Sequence, residues 1–406
     1  MKQRSLLIVL ACLGAIVILF LLFAGGGNNQ VVIQWEAASP APSQESPCTL
    51  KVYVENSGSM NGYMHAGTQL TDVLYDYVSL LGTSVDTVEL NYLNTEVVEY
   101  PQDLKHFIGT LTPTAFRAVK GNKSNSDIAQ MLETILARTD ANTLSLFVSD
   151  CILDVKQGAT ANYLVNRQID IRNAFSRKLH QQPDLATVVL PLMSDFTGYY
   201  YYDRGSEYLQ SAERPYYLWL IGPQSLLARC NRLHPWSNLL TDKQRLLTFS
   251  TPVAAIPFTI TNQFGKNREG HCVCRPDRRG RYQFQVHADL SGTLQEESLL
   301  LNPAYYRKTG QLLQIEAVRP IQDSRSPYTH ILTMSLAETV TPYGEKIELG
   351  AAPFPAWVEQ MNDDSGADIQ SNMGKTTGIK YILQGVGEAY KGYTTMGSIP
   401  FTINKQ

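Results

Sequence analysis

The period of the hydrophobic positions changes several times along this chain, and the changes divide it. Residues 5–24, SLLIVLACLGAIVILFLLFA, are apolar almost without interruption. At about 1.5 Å of helix rise per residue, such a run can cross a hydrocarbon layer of about 30 Å, so a transmembrane helix is expected. Residues 25–48 hold Gly25-Gly26-Gly27, Asn28-Asn29 and 38-ASPAPSQESP-47. This is the composition of a flexible linker, interrupted only by the apolar 31-VVIQW-35.

From 49 to 233 apolar runs of strand length alternate with helical periodicity. The runs 50-LKVYVE-55, 87-TVELNYLN-94, 143-TLSLFVS-149, 186-ATVVLPLM-193 and 216-YYLWLIG-222 predict strands. Leu70, Val73, Leu74, Tyr77, Val78 and Leu81 recur at three-four spacing and predict a helix over 68–82, stopped by Gly82. Ile128, Met131, Leu132 and Ile135 predict a second over 126–139, with Ser126 placed to cap it. Further helices are expected over 102–111, 162–181 and 223–233, the last with Pro223 in its first turn. Continuously apolar strands separated by helices predict an α/β fold with a doubly wound, mostly parallel sheet covered on both faces. In such sheets ligands bind at the carboxyl ends of strands. Glu55 to Ser59, Asp150 and Asp195 all fall at predicted strand ends.

From 245 to 375 the pattern becomes short strands divided by turn residues, which predicts a β-rich, sandwich-like module. In 376–406, Ile379, Ile382, Leu383, Val386, Ala389 and Tyr390 form a one-sided stripe. They predict a C-terminal helix docked on the body of the protein, followed by a strand over 398–404. The run Tyr199-Tyr200-Tyr201-Tyr202 predicts a half-buried hairpin, with an exposed recognition surface as the alternative.

Charge narrows the class. The formal net charge is −3 and no long basic run occurs, so nucleic acid is not an expected partner. Lys2 and Arg4 precede the apolar run, and the next basic residue is Lys51. The positive-inside rule then keeps the N-terminus cytoplasmic and places the rest in a periplasmic or extracellular space. A cleaved signal peptide, or a lipoprotein acylated at Cys12 in 9-VLAC-12, competes with this reading. The length of the run favours an uncleaved single-pass anchor. Six cysteines are present, five of them beyond the apolar run, so they cannot all pair within one chain. The motif 271-HCVC-274 has no second Cys/His pair at finger spacing, and zinc is not expected there.

The densest candidate chemistry lies in 52-VYVENSGSMNGYM-64. A serine hydrolase elbow needs G-x-S-x-G, and the first glycine is absent. His65, His180 and Asp195 are available as base and orienter, but no spacing selects one of them. A hard divalent cation instead wants oxygen ligands. Ser57 and Ser59 supply two hydroxyls on a loop leaving a strand. Glu55 supplies a carboxylate, 121-GNKSNSD-127 a further hydroxyl, and Asp150 a second carboxylate. A polar loop without any ion is the remaining alternative.

Glu55-x-Ser57-Gly58-Ser59-Met60 resembles the D-x-S-G-S-M motif of the von Willebrand factor type A (vWA) family. 124-SNSDIAQMLETIL-136 resembles the segment that carries the family's metal-binding threonine, and puts Ser126 at that position. 146-LFVSD-150 resembles its strand ending in T-D, and puts Asp150 at the last motif position. The resemblance covers about 49–233. It implies a metal-ion-dependent adhesion site (MIDAS) for Mg2+, Mn2+ or Ca2+. Ser57 and Ser59 would be direct ligands, Ser126 direct or water-bridged, and Glu55 and Asp150 direct or bound to coordinated water. It implies no enzymatic activity. A partner protein's acidic side chain would fill the open coordination position, in a membrane complex. The departures are Glu55 in place of Asp, Ser126 in place of Thr, and Ser149-Asp150-Cys151 in place of T-D-G. The runner-up is a metal-free structural component of a membrane complex.

Overall fold

The computed structural model describes residues 30–36, 47–123, 127–153, 160–202, 205–240, 245–262, 267–323, 325–337, 342–366 and 368–405. The apolar run 5–24 lies outside them. Among the described residues no helix is long and apolar enough to cross a membrane.

The first half folds around a seven-stranded sheet. Its elements, in chain order, are β2 (Thr49–Glu55), α1 (Gln69–Gly82), β3 (Thr87–Leu93), β4 (Val97–Tyr100), α2 (Leu104–Gly109), α3 (Pro113–Ala118), α4 (Ile128–Arg138), β5 (Thr143–Ser149), α5 (Thr160–Gln181), β6 (Leu185–Tyr202), β7 (Gly205–Pro223), α6 (Gln224–Leu233) and β8 (Leu247–Phe249). A short strand, β1 (Val31–Gln34), precedes them. The sheet order is β4-β3-β2-β5-β7-β6-β8.

This order corrects the expected doubly wound, mostly parallel sheet. Only β2–β3 and β2–β5 pair in parallel; β3–β4, β5–β7, β6–β7 and β6–β8 are antiparallel. The reason is β6 and β7. They form one long hairpin, registered from Leu185↔Pro223 out to Tyr202↔Gly205, and β7 inserts between β5 and β6. Asp195 therefore lies within a strand and not at its end. The misreading has a physical cause. Val52, Val54, Leu146, Val148, Leu218 and Leu220 pack on one face with α1 and α6. Tyr53, Phe147, Val189, Trp219 and Ile221 pack on the other with α4, α5 and the C-terminal helix. A strand covered on both faces loses its polar alternation whichever way its neighbour runs, so apolar runs do not report strand direction.

The helices start as their caps dictate. Thr68 accepts from Thr71 N–H at the start of α1, and Asp103 and Thr112 cap α2 and α3 in the same way. Asp127, and not the expected Ser126, caps α4 by accepting from Gln130 N–H at 3.2 Å. Such caps each contribute about 1 kcal/mol.

The later strands are β9 (Phe258–Thr261), β10 (Asn267–Arg268), β11 (His271–Cys274), β12 (Tyr282–Ala288), β13 (Tyr306–Lys308), β14 (Leu313–Pro320), β15 (His330–Leu336), β16 (Tyr343–Gly350), β17 (Asn362–Asp363), β18 (Thr376–Thr377) and β19 (Thr395–Lys405), with α7 (Ile379–Tyr390) before the last. Two antiparallel sheets, β10-β11-β1-β19-β16-β13 and β14-β15-β12-β9, enclose a separate apolar core. That core draws on both ends of the described chain. β1, inside the expected linker, pairs with β11 and β19, and β19 pairs with β16. The stripe of α7 packs on the α/β body, where Tyr390 Oη donates to Leu185 O at 3.2 Å.

Candidate functional site at the ends of β2 and β5

The parallel neighbours β2 and β5 end side by side, and the sequence candidates on them meet there. Glu55, the last residue of β2, is fully buried. Ser149, the last residue of β5, donates its hydroxyl to Glu55 Oε2 and accepts from Cys151 N–H at 2.7 Å. In the sequence Ser149 stands out only as a departure from the T-D-G pattern. Its register opposite the end of β2 is the signal that identifies it as the carrier of Glu55.

After β2 the chain turns through a short 3-10 helix, Met60–Tyr63. Ser57 Oγ and Ser59 Oγ lie 3.1 Å apart, and Ser57 Oγ also accepts from Met60 N–H at 3.3 Å. Both hydroxyls are thus held on one side of the loop. Met60 Sδ accepts from Asp150 N–H at 3.2 Å, which ties this loop to the end of β5.

Asp150 is buried. Its Oδ1 accepts from Ile152 N–H at 3.3 Å, while its Oδ2 has no hydrogen-bond partner among the described residues. Burial raises its pKa above the ordinary carboxylate value; the nearby Ser59 hydroxyl, the Ile152 N–H and the charge of Arg214 pull it partly back. Arg214 was not found by sequence reasoning, because a lone arginine inside a hairpin reads as a surface residue. It is buried, and its Nη1 donates to Met373 O at 2.7 Å and Asn372 O at 3.3 Å. Its guanidinium carbon lies 4.8 Å from the centre of the Tyr200 ring, and its Nη2 has no hydrogen-bond partner among the described residues.

The outer half of the β6–β7 hairpin roofs this loop. Tyr63 Oη donates to Pro215 O at 2.7 Å, and the His65 ring pairs with Thr197 O at 3.0 Å. A Cβ built on Gly62 would lie 2.2 Å from Phe196 Cε2, and one on Gly198 would lie 2.8 Å from Gly62 Cα. The two glycines therefore permit the close approach of loop and hairpin. Tyr201 passes over Gly58, and Ser59 stays half-buried at the rim. At the hairpin's far end Tyr199, Tyr201 and Tyr208 are 53%, 49% and 55% exposed and clustered, while Tyr200 is buried against Thr377.

Ser126 lies outside the described residues. The loop before it is anchored, since Asn94 Nδ2 donates to Asn56 Oδ1 at 3.2 Å and to Lys120 O at 2.9 Å. Neither Ser57 nor Ser59 hydrogen-bonds a histidine among the described residues, and Asp195 and His180 are exposed.

Among the described residues no group of three or more His, Cys, Asp and Glu forms a metal cage. The site's chemistry is of another kind, two carboxylates and at least two hydroxyls. All are oxygen donors, the set that a hard cation takes. Asp150 Oδ2, without a hydrogen-bond partner among the described residues and on a carboxyl beside the Ser59 hydroxyl, fits such an ion. Glu55 Oε2 already accepts from the Ser149 hydroxyl. The chain matches no protein-family model and no curated protein sequence.

Proposed function

We propose that this chain is a membrane-anchored, extracytoplasmic protein-binding module that holds a Mg2+-type cation between Ser57, Ser59 and Asp150. Glu55 lies behind them through Ser149, and Ser126 is the remaining hydroxyl of the motif. A partner's Asp or Glu completes the cation's shell at the rim beside Ser59. The exposed tyrosines of the hairpin tip form the adjoining contact surface, large in area and cheap to order. The observation that carries this reading is Asp150 Oδ2, a buried carboxylate oxygen with no hydrogen-bond partner among the described residues, on a carboxyl beside the Ser59 hydroxyl, which itself lies 3.1 Å from that of Ser57. Capture of the partner from membranes by the full chain tests it. Mg2+ should support capture, and chelation or Ser59→Ala should abolish it.

A second, metal-free reading is favoured by Arg214. Its buried guanidinium already acts on Asp150 as a counter-charge. In that reading the site is a structural staple and binding runs through the tyrosines alone. Arg214→Met separates the two. In the first reading it removes a competing positive charge and strengthens cation binding. In the second it destabilises the fold and leaves cations without effect.

A further inference from the structure

The motif His271-Cys272-Val273-Cys274 forms β11 and plays no part in the site described above. Residues two apart on a strand point to the same face. Cys272 Sγ and Cys274 Sγ lie 3.8 Å apart, both fully buried. Cys272 S–H also donates to Asn267 Oδ1 at 3.3 Å on the neighbouring strand β10. On the other side Cys272 pairs with Ile33 and Cys274 with Val31 of β1. None of the described cysteines is joined in a disulfide.

We propose that Cys272 and Cys274 are a redox pair that closes to an intrastrand disulfide by exchange with a disulfide donor. One cysteine thiolate attacks a donor sulfur, forming a mixed disulfide and releasing half of the donor as a thiolate. The second cysteine thiolate attacks the protein sulfur of that mixed disulfide and displaces the other half. Both cysteines lose a proton, the pair is oxidised by two electrons, and the donor is reduced to two thiols.

The geometry permits closure at a structural cost. Two strand residues span roughly 6.6 Å, within the Cα separation of about 4.4–6.8 Å that a disulfide tolerates but near its upper end. The sulfurs must approach to about 2.05 Å, so β11 must shorten and bend. Its position allows this, because its outer strand neighbour is the two-residue β10, paired at Asn267↔Cys272 and Arg268↔His271, with one further bond from Asn262 Nδ2 to Val273 O at 3.3 Å. Opening that two-residue edge also gives the donor access to the sulfurs. Bending β11 disturbs its register with β1, the first described strand of the chain. The oxidation state of the pair is thereby coupled to how firmly the N-terminal strand is held in the sandwich.

The test uses the full chain in detergent, incubated with oxidised glutathione, quenched in acid, then denatured in N-ethylmaleimide and cut with trypsin. Cleavage after Arg268 and Arg278 isolates Glu269–Arg278, since Pro276 protects the bond after Arg275. The expected result is this peptide unlabelled and lighter by two hydrogens, with Cys151 elsewhere fully labelled. Cys272→Ala and Cys274→Ala should each retain glutathione on the remaining sulfur. Full labelling of both cysteines after oxidant, retention of glutathione without ring closure in the unmodified chain, or pairing of either sulfur with another cysteine would each overturn the proposal.

Discussion

Ser149 donates its hydroxyl to Glu55 Oε2 and so joins the last residue of β5 to the last residue of β2. The longer glutamate arm, where the vWA motif has aspartate, is what spans this gap. Glu55 is thereby a strut between two strand ends.

The strut can be measured. A hydrogen bond to a charged group contributes about 1.5–3 kcal/mol, and a buried acceptor left without its donor costs about as much. Ser149→Ala and Glu55→Asp should each lower the unfolding free energy by about 1–3 kcal/mol. In a double-mutant cycle by urea unfolding they should not add, because both remove the same contact. Additive losses would show that the two residues act separately.

Asp150 gives a pH-dependent expectation. Its folded pKa is raised by burial, so the folded state holds the proton more tightly than the unfolded chain. Stability from this group is then highest in acid and falls as pH rises from the unfolded value of about 3.9 through the raised folded value. Asp150→Asn removes that penalty. At neutral pH without cation it should melt no lower than the parent, and the advantage should vanish toward pH 4. A large loss of stability in Asp150→Asn at neutral pH would contradict this.

His330 works the other way. Burial lowers its pKa from 6.5 to about 4, and its Nδ1 pairs with Thr329 Oγ1 at 2.8 Å. The fold favours the neutral ring, so stability is complete above pH 6.5 and is lost as pH falls toward 4. A displacement of that size corresponds to roughly 3 kcal/mol. His330→Gln should flatten the pH dependence of urea unfolding across that window; an unchanged slope would place the acid sensitivity elsewhere.

The roof depends on two glycines. Gly62→Ala forces a methyl group into the Phe196 ring, and overpacking of this kind costs about 1–3 kcal/mol. The variant should show faster proteolysis within 196–212 than the parent, because the hairpin's outer half loses its support. Equal proteolysis would mean that the hairpin is held elsewhere.

The sequence made part of this legible, for definite reasons. The strand 50–55, the strand 143–149 and the polar ends at Ser57, Ser59 and Asp150 were readable because short apolar runs and sharp polarity changes are local signals. The direction of β7 was not, since Trp219 and Ile221 are buried on one face and Leu218 and Leu220 on the other, which erases the alternation. The hairpin's true length was hidden because 194–215 is too polar to read as strand away from the loop it covers. Arg214 was hidden for the same reason, since its burial depends on Tyr200 and on the carbonyls of Asn372 and Met373, far away in sequence. The strand Val31–Gln34 was visible only as an apolar island in a linker, because its partners are at Cys272 and Ile403.

The proposed cation site consists of Ser57, Ser59 and Asp150. Titration of the full chain with Mn2+, followed by electron paramagnetic resonance of the free ion, tests it most directly. One saturable site is expected, competed by Mg2+, lost in Ser57→Ala/Ser59→Ala and in Asp150→Asn, and retained in Glu55→Gln. Absence of saturable binding, or binding that survives both the serine and the aspartate substitutions, would contradict it.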